Sequence, residues 1–147
     1  MSESNKINFE IVTPEQTILK EQATQITVPT KQGEITILAN HIPLVATLQA
    51  GVVEIVLSDG KRDIMSLSGG FIEVLKDKVV ILADTAERAE EIDELKLDEA
   101  RLRAEDSLKN LRQFDQERFT NISAKLAKEL ARSKALKRWK KIKSLDK

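Results

Sequence analysis

The sequence has no cysteine, a single histidine and no long apolar run. The absence of cysteine excludes a disulfide framework, a thiolate metal site and a cysteine nucleophile. One histidine, His41, excludes a metal site built from several histidines. No stretch approaches the roughly 18 apolar residues that a membrane helix needs, and the polar residues 1–6 lack the apolar core of a signal peptide. We therefore expect a soluble, intracellular protein.

Charge is balanced over the whole chain but not along it. The 24 basic and 24 acidic side chains cancel, so no global field favours nucleic acid or an anionic membrane over other partners. Residues 1–86 carry 7 Lys and Arg against 11 Asp and Glu, whereas residues 87–147 carry 17 against 13. All five glycines and all three prolines lie in the first 70 residues. These shifts predict two architectures joined end to end, a first domain over residues 1–86 and a second over residues 87–147.

The first part is typical of an antiparallel β-sandwich or barrel. Short alternating or apolar segments recur between turn signals. The Asp59-Gly60 pair, for example, is typical of a tight hairpin because it tolerates positive φ. Strands are predicted near residues 7–11, 18, 26–28, 35–38, 52–57, 64–67, 71–75 and 79–83.

The second part is predicted to be an antiparallel pair of helices. Apolar residues recur every three or four positions over residues 97–111 and again over residues 119–142, as on one face of a helix. A lone helix could bury neither stripe, so a two-helix hairpin is the economical interpretation. The hairpin would set the acid-rich residues 87–106 beside the base-rich residues 132–147, although exposed ion pairs contribute only about 0–1 kcal/mol each. We therefore expect a weakly held hairpin that can move.

The segment from Gly33 to Val45 presents the histidine on a predicted loop. Residues 34–37 alternate as in a half-buried strand, after which Pro43 fixes its own φ and favours an extended Ile42. Rigid scaffolds commonly present functional residues on such loops. The pKa of histidine suits a general base, but no serine, aspartate or second titratable group is placed to act with His41. No catalytic residue is therefore predicted.

Two other patterns have simpler structural explanations. Gly69-Gly70 is not followed by the Lys-Ser/Thr pair of a phosphate loop but by a predicted strand from Phe71, which favours a bulge or a tight turn at the strand's start. The acid-rich run from Glu87 to Glu99 is the solvated start of a helix, where acids suit the helix dipole. No metal site is predicted.

Four segments, in their order and spacing, resemble the epsilon subunits of bacterial proton-translocating ATP synthases. They are Gly33–Leu38, His41–Leu44, Ser68–Val74 and Leu82–Asp93. The similarity extends over nearly the whole chain, with the helical part matched by architecture more than by residues. It implies a ten-stranded antiparallel β-sandwich followed by a two-helix antiparallel hairpin.

The resemblance implies a non-catalytic subunit of a rotary enzyme. In that family the sandwich clamps the gamma subunit and rests on the ring of membrane c subunits, completing the central stalk. The helices either fold on the sandwich or extend along gamma towards the alpha and beta subunits, where they block ATP hydrolysis. The implied location is the cytoplasmic face of a bacterial cell membrane, reached peripherally through the complex. Residues implied to contact the c ring and gamma are Glu34, His41, Pro43, Ser68, Gly69 and Gly70.

Some members of the family bind ATP on the folded hairpin through an Ile/Leu-Asp-x-x-Arg-Ala motif with a glutamate a few residues earlier. This chain keeps the glutamate and the Ile-Asp pair but has Lys96 and Leu97 in place of Arg and Ala. A lysine keeps the charge but loses the planar, multi-donor contact of a guanidinium. The resemblance implies no obligatory cofactor and a weakened site for ATP as a regulatory ligand, with the residues Glu87, Ile92, Asp93, Lys96 and Arg103.

The basic end of the second helix would, by the same resemblance, face an acidic segment of the beta subunit and inhibit hydrolysis. The bases concerned are Arg132, Lys134, Lys137, Arg138, Lys140 and Lys141. Trp139 among these bases is also compatible with a nucleic-acid or membrane-surface helix. The alternative is therefore a free-standing sandwich module whose helices mediate self-association or nucleic-acid binding; the resemblance favours an acidic protein partner.

Overall fold

The computed structural model describes residues 5–111 and 115–145, in which nine strands precede two helices. The strands are β1 Ile7–Val12, β2 Thr17–Thr30, β3 Gly33–Leu38, β4 Leu44–Leu48, β5 Gly51–Leu57, β6 Arg62–Leu67, β7 Gly70–Val74, β8 Lys78–Ala83 and β9 Ala86–Arg88. A 3-10 turn at Ala89–Glu91 leads into α1 Glu94–Lys109 and α2 Gln116–Leu145.

The long strand β2 joins the two sheets of the sandwich. Its first half pairs with β1, and its second half pairs with β3 and β5. One sheet therefore contains β4, β7, β8, β1 and the start of β2, and the other contains β3, the end of β2, β5, β6 and β9. Every pairing is antiparallel except that of β1 with β8, which is parallel.

The predicted sandwich followed by two helices is confirmed, but with nine strands in the described part of the chain rather than ten. The sequence assigned Ile18 and the segment 26–28 to separate strands, whereas both lie on the 14-residue β2. The chain passes from one sheet to the other at a register shift between Ala23 and Gln25, not through a turn. A bulge of this kind bends a strand without ending it.

The main core lies between the two sheets. Inward-facing residues of both sheets alternate with outward-facing ones, as the period of a strand requires. Fully buried members include Phe9, Ile11, Ile26, Ile37, Ile55, Met65, Ile72 and Ile81. Each such side chain contributes about 1.5–3 kcal/mol by leaving water.

A second, smaller cluster holds the helices against the outer face of β5 and β6. It contains Ile64, Ala89, Ile92, Leu97, Ala135 and Leu136, with Val52, Trp139 and Ile142 partly buried beside it. Lys140, near the end of α2, pairs with Glu94 at the start of α1, so the two helices are antiparallel. The hairpin is thus folded onto the sandwich as a third layer.

Strand structure continues just beyond the predicted domain boundary. β9 pairs Ala86 with Leu67 and Arg88 with Met65, so the boundary after residue 86 falls inside this strand. The division into two separate domains stays a prediction. Among the described helices, none is both long enough and apolar enough to cross a membrane.

Candidate functional site

The loop between β3 and β4 is shaped by contacts of His41. Its main-chain N–H donates to the Leu38 carbonyl at 3.3 Å, and its ring Nδ1 lies 2.6 Å from the Ile42 carbonyl. Because a carbonyl oxygen only accepts, Nδ1 carries the proton. Asn40 has a φ of 64°, in the left-handed region that asparagine tolerates. The histidine ring thus helps to hold Ile42, which is 76% exposed, at the tip of the loop.

The predicted contact residues lie at two opposite ends of the sandwich. β4 begins directly after Pro43, and its last residue pairs with Gly70. That end of β4 also pairs with the end of β2, next to Glu34 at the start of β3. Five residues of strand separate the two ends by about 13 Å. The structure therefore brings Glu34 together with Ser68–Gly70 and separates them from His41 and Pro43.

The segment Ser68–Gly70 makes a tight connection between β6 and β7. Gly69 and Gly70 have φ values of 130° and 142°, and a Cβ on Gly70 would lie 2.2 Å from the Leu82 carbonyl oxygen. The Ser68 hydroxyl oxygen accepts hydrogen bonds from the Thr85 N–H at 3.0 Å and the Thr85 hydroxyl at 2.8 Å. The tight turn expected at the start of this strand is confirmed, while its contact with a partner stays a prediction.

An apolar face covers the outer side of the sheet containing β4, β7 and β8, whereas the described helices pack on β5 and β6 of the other sheet. Phe71 on β7 and Leu82 on β8 are direct cross-strand neighbours and are 55% and 53% exposed. Val45 on β4 points to the same side and is 71% exposed. Leu38, at the end of β3, and Ile42, in the β3–β4 loop, are also exposed apolar residues. We call Val45, Phe71 and Leu82 the apolar face.

Phe71 and Leu82 are predicted from the sequence as strand residues but not as residues of a site. The sequence nevertheless contains a pattern that indicates outward-facing apolar residues at these two positions. In a strand with one wet face, apolar residues alternate with polar ones, yet Phe71 directly precedes Ile72, and Leu82 directly follows Ile81. Consecutive apolar residues place one of each pair on the outside. The outward residues of this sheet are therefore suited to contact with another molecule.

Three of the predicted tail bases are engaged inside the chain. Arg132 contacts Glu87 of β9 and Glu129 of α2, both at 2.8 Å. Arg138 contacts Glu54 of β5 at 2.7 Å, and Lys140 pairs with Glu94 of α1. Burial alone would lower the pKa of Arg132, but the hydrogen bonds and opposite charges of the two glutamates outweigh it, so its pKa is raised.

The other three tail bases face solvent. Lys134, Lys137 and Lys141 recur every three to four residues and so share one face of α2. Their side chains are exposed and form no salt bridge within the described residues. Lys134 and Glu34 both line a cleft of about 410 Å³, which lies between α2 and the end of the sandwich that carries Glu34. The docked hairpin thus presents a free lysine stripe.

The predicted nucleotide residues have other structural roles in the docked hairpin. Asp93 caps α1, its carboxylate accepting from the Lys96 N–H at 3.2 Å. Ile92 is buried in the cluster under the helices, and Glu87 holds Arg132. Lys96 and Arg103 are exposed on one face of α1, two turns apart. In the described part of the chain, no group of three or more His, Cys, Asp or Glu side chains could hold a metal ion.

Comparisons of sequence agree with this architecture. The family model for "ATP synthase, Delta/Epsilon chain, beta-sandwich domain" matches residues 6–89. The ATP synthase epsilon chain of Dichelobacter nodosus is 47% identical over 100 residues, which cover 68% of this chain and 70% of that protein. The ATP synthase epsilon chain of Chloroflexus aggregans is 48% identical over 98 residues, 67% of this chain and 70% of that protein.

Two solved structures are similar in fold. A chain of the Euglena gracilis mitochondrial ATP synthase, solved as OSCP/F1/c-ring in rotational state 1, matches with a TM-score of 0.78 and 29% identity, covering 90% of this chain and 82% of that one. A chain of the Tetrahymena thermophila mitochondrial ATP synthase central stalk and c ring matches with a TM-score of 0.63 over 92% of this chain and 99% of that one. At 14% identity, the second likeness concerns the fold alone.

Proposed function

The chain belongs to the family of ATP synthase delta and epsilon chains, and we propose that it is a non-catalytic subunit joining gamma to the c ring and restraining ATP hydrolysis through its helices. Like the epsilon chains it resembles, it is a subunit of the ATP synthase complex and part of the central stalk.

The apolar face is the observation that carries the proposal. The helices cover the outside of β5 and β6, so the sheet containing β4, β7 and β8 keeps its outer side free. Phe71 is the largest exposed apolar side chain of this sheet, and aromatic side chains in the centre of an interface often contribute most of the binding energy. We assign this face and the His41 loop to contact with gamma.

The opposite end of the sandwich is assigned to the c ring. Glu34 and the segment Ser68–Gly70 lie there together, on short connections held by strand pairing and by the Ser68–Thr85 hydrogen bonds. A rigid end of this kind can rest on the ring while the apolar face holds gamma. The complex would thereby keep the chain peripheral to the membrane, on the cytoplasmic face in a bacterial cell.

The gamma contact is tested by placing a charge in the apolar face. Phe71→Glu should weaken binding of the full chain to purified gamma subunit by about 100-fold, because a desolvated carboxylate would replace a buried ring. Leu95→Glu is the matched control, since Leu95 on α1 is 75% exposed and distant in sequence from that sheet. Isothermal titration of both variants against gamma decides: equal affinities would exclude the apolar face as the gamma contact.

The restraint of hydrolysis is tested by removing the helices. A chain ending after Glu91 keeps β9 and its pairing with β6, so the complex should assemble while its rate of ATP hydrolysis rises. Ending the chain after residue 86 would also remove most of β9, so loss of the helices could not be distinguished from damage to the sandwich. An unchanged hydrolysis rate in the assembled complex would contradict an inhibitory role of the helices.

ATP is retained as a proposed regulatory ligand of Glu87, Ile92, Asp93, Lys96 and Arg103. Titration of the full chain with ATP, followed by emission of the single tryptophan, Trp139, measures it directly. Lys96→Arg should tighten binding because it restores a planar, multi-donor group. The absence of a saturable signal to millimolar ATP in both proteins would remove ATP from the proposal.

The alternative, a free-standing module that self-associates or binds nucleic acid, has no observation in its favour beyond the lysine stripe. It predicts DNA binding with a strong dependence on salt concentration. Stable binding to gamma without such DNA binding would favour the subunit role.

A further inference from the structure

Three ion pairs connect α2 to three different elements of the chain. Arg132 reaches β9, Arg138 reaches β5 and Lys140 reaches α1. Each joins residues between 45 and 84 positions apart in sequence. The pairs of Arg132 and Arg138 therefore form only when α2 is folded onto the sandwich, and that of Lys140 forms only when α2 packs beside α1.

Arg138 and Lys140 stand on opposite flanks of the apolar stripe of α2. Between them lies Trp139, which packs on the buried cluster. Arg138 extends to the sheet and Lys140 to the neighbouring helix. The stripe itself is thin, because its buried members on α2 are Ala131, Ala135 and Leu136. With Trp139 and Ile142 partly buried beside them, these residues form a small apolar contact, to which the three ion pairs add.

We propose that Glu54, Glu87 and Glu94 form an electrostatic clasp that holds α2 docked on the sandwich and beside α1 by occupying three of the six bases of its tail. The expected effect of the clasp on ATP hydrolysis rests on the proposed inhibitory function, whereas docking of the hairpin can be measured without it. A base held by one of these carboxylates cannot at the same time engage an acidic surface of another subunit. The clasp therefore both fixes the docked state and masks half of the inhibitory charge.

A change in salt concentration distinguishes the contribution of the ion pairs to docking from that of apolar packing. The side chains of Arg138 and Lys140 are half exposed, so dissolved ions screen them, and the screening length falls from about 10 Å at 0.1 M salt to about 3 Å at 1 M. Apolar packing is not weakened in this way. Raising sodium chloride should therefore undock the hairpin of the isolated chain without unfolding the sandwich.

Trp139 reports this undocking because it is the single tryptophan and is partly buried under the helix. The variant Glu54→Gln/Glu87→Gln/Glu94→Gln should show red-shifted emission already at low salt and little further change on adding salt. Each single substitution should raise the undocked fraction about two- to fivefold. Glu99→Gln is the matched control, since Glu99 is an exposed acid of α1 with no ion pair among the described residues, and it should behave as the parent chain.

A charge exchange between two paired residues distinguishes loss of an ion pair from misfolding of the variant. Glu94→Lys and Lys140→Glu should each loosen the packing of α2 beside α1, and the double exchange should restore it. Emission and salt response of the triple variant equal to those of the parent would overturn the clasp, as would failure of the exchange to restore that packing in a chain whose circular dichroism is native.

The assembled enzyme distinguishes the clasp from the inhibitory function. The triple acid variant leaves every tail base in place, so it should inhibit ATP hydrolysis more strongly than the parent. Lys134→Gln/Lys137→Gln/Lys141→Gln should keep the hairpin docked and inhibit less. Loosened docking with unchanged hydrolysis would support the clasp and contradict the inhibitory role of the helices.

Discussion

The sandwich and the hairpin are held together by different amounts of buried surface. The sandwich encloses a core contributed by eight of its nine described strands, and its strand β2 belongs to both sheets. The hairpin shares one small cluster with the outside of the sandwich, to which α1 contributes a single buried residue, Leu97. The sandwich should therefore unfold as one unit, whereas the hairpin can separate from it at low cost.

The difference also concerns where polar contacts are made. In the sandwich, strand pairing and short connections such as Ser68 with Thr85 fix the chain locally. In the hairpin, the polar contacts with the sandwich are ion pairs between distant segments, and they add to the buried cluster beneath the helices. Exposed pairs of this kind contribute about 0–1 kcal/mol each. The sandwich and the hairpin are thus distinguished by the kind of interaction that holds each in place.

The largest effect is expected for Gly70→Ala in the sandwich. The new Cβ would lie 2.2 Å from the Leu82 carbonyl oxygen, at a φ of 142° that alanine disfavours. The backbone of β8 would have to move, at a cost of about 3 kcal/mol or more. Gly60→Ala is the control, because its φ is 89° but no atom lies within 4 Å of its Cβ, so about 1 kcal/mol is expected. Urea midpoints of both variants measure the difference; equal losses would contradict the clash.

A smaller and more local effect is expected for Leu97→Ala in the hairpin. Leu97 is 2% exposed, so its truncation should cost about 2–3 kcal/mol of docking energy. Emission of Trp139 should shift to the red, while the unfolding midpoint of the sandwich stays unchanged. Leu102→Ala, at a position 58% exposed, should change neither. A fall in the unfolding midpoint of the sandwich would show that the two parts unfold together, which would contradict the independent release of the hairpin.

The smallest effect concerns pH. Burial raises the pKa of Asp63 on β6 above its ordinary value, and Arg88 only partly offsets this. The folded state thus favours the protonated form, so the contribution of Asp63 to stability is greatest below its unfolded pKa and is lost as the pH rises through its folded pKa. Relative to Asp63→Asn, the parent should be most stable at the acidic end of a pH 3–6 series of urea unfolding curves. A constant difference would contradict the raised pKa.

The sequence predicted the elements better than the contacts between them. Alternation and the Asp59-Gly60 turn locate the strands, and the period of the apolar residues locates both helices, because these signals are local. The crossing of β2 between the sheets depends on which strands pair on each side of Ala23, and no local pattern contains that information. For the same reason the sequence indicated opposite charges on the two helices but not that Arg138 would select Glu54 of the sheet.

For the functional residues too, the sequence indicated individual residues but not their arrangement in space. Glu34, His41 and Asp93 could be singled out from the resemblance, but the separation of Glu34 from His41 onto opposite ends of a strand required the three-dimensional pairing of β4. The apolar face was readable in part, from the consecutive apolar residues at Phe71 and Leu82. Its extent depended on cross-strand neighbours that only the register reveals.

The lengths of the two helices set how far a released hairpin could act. Helices of 16 and 30 residues measure about 24 and 45 Å, at 1.5 Å per residue. Laid end to end they span roughly 70 Å, several times the radius of gyration of about 12 Å expected for the sandwich. In the folded hairpin the free lysines lie near the start of α1, because Lys140 pairs with Glu94. If the two helices extended end to end from Ile92, the last residue anchored before α1, the same lysines would lie near the far end of that length, beyond the span of the sandwich.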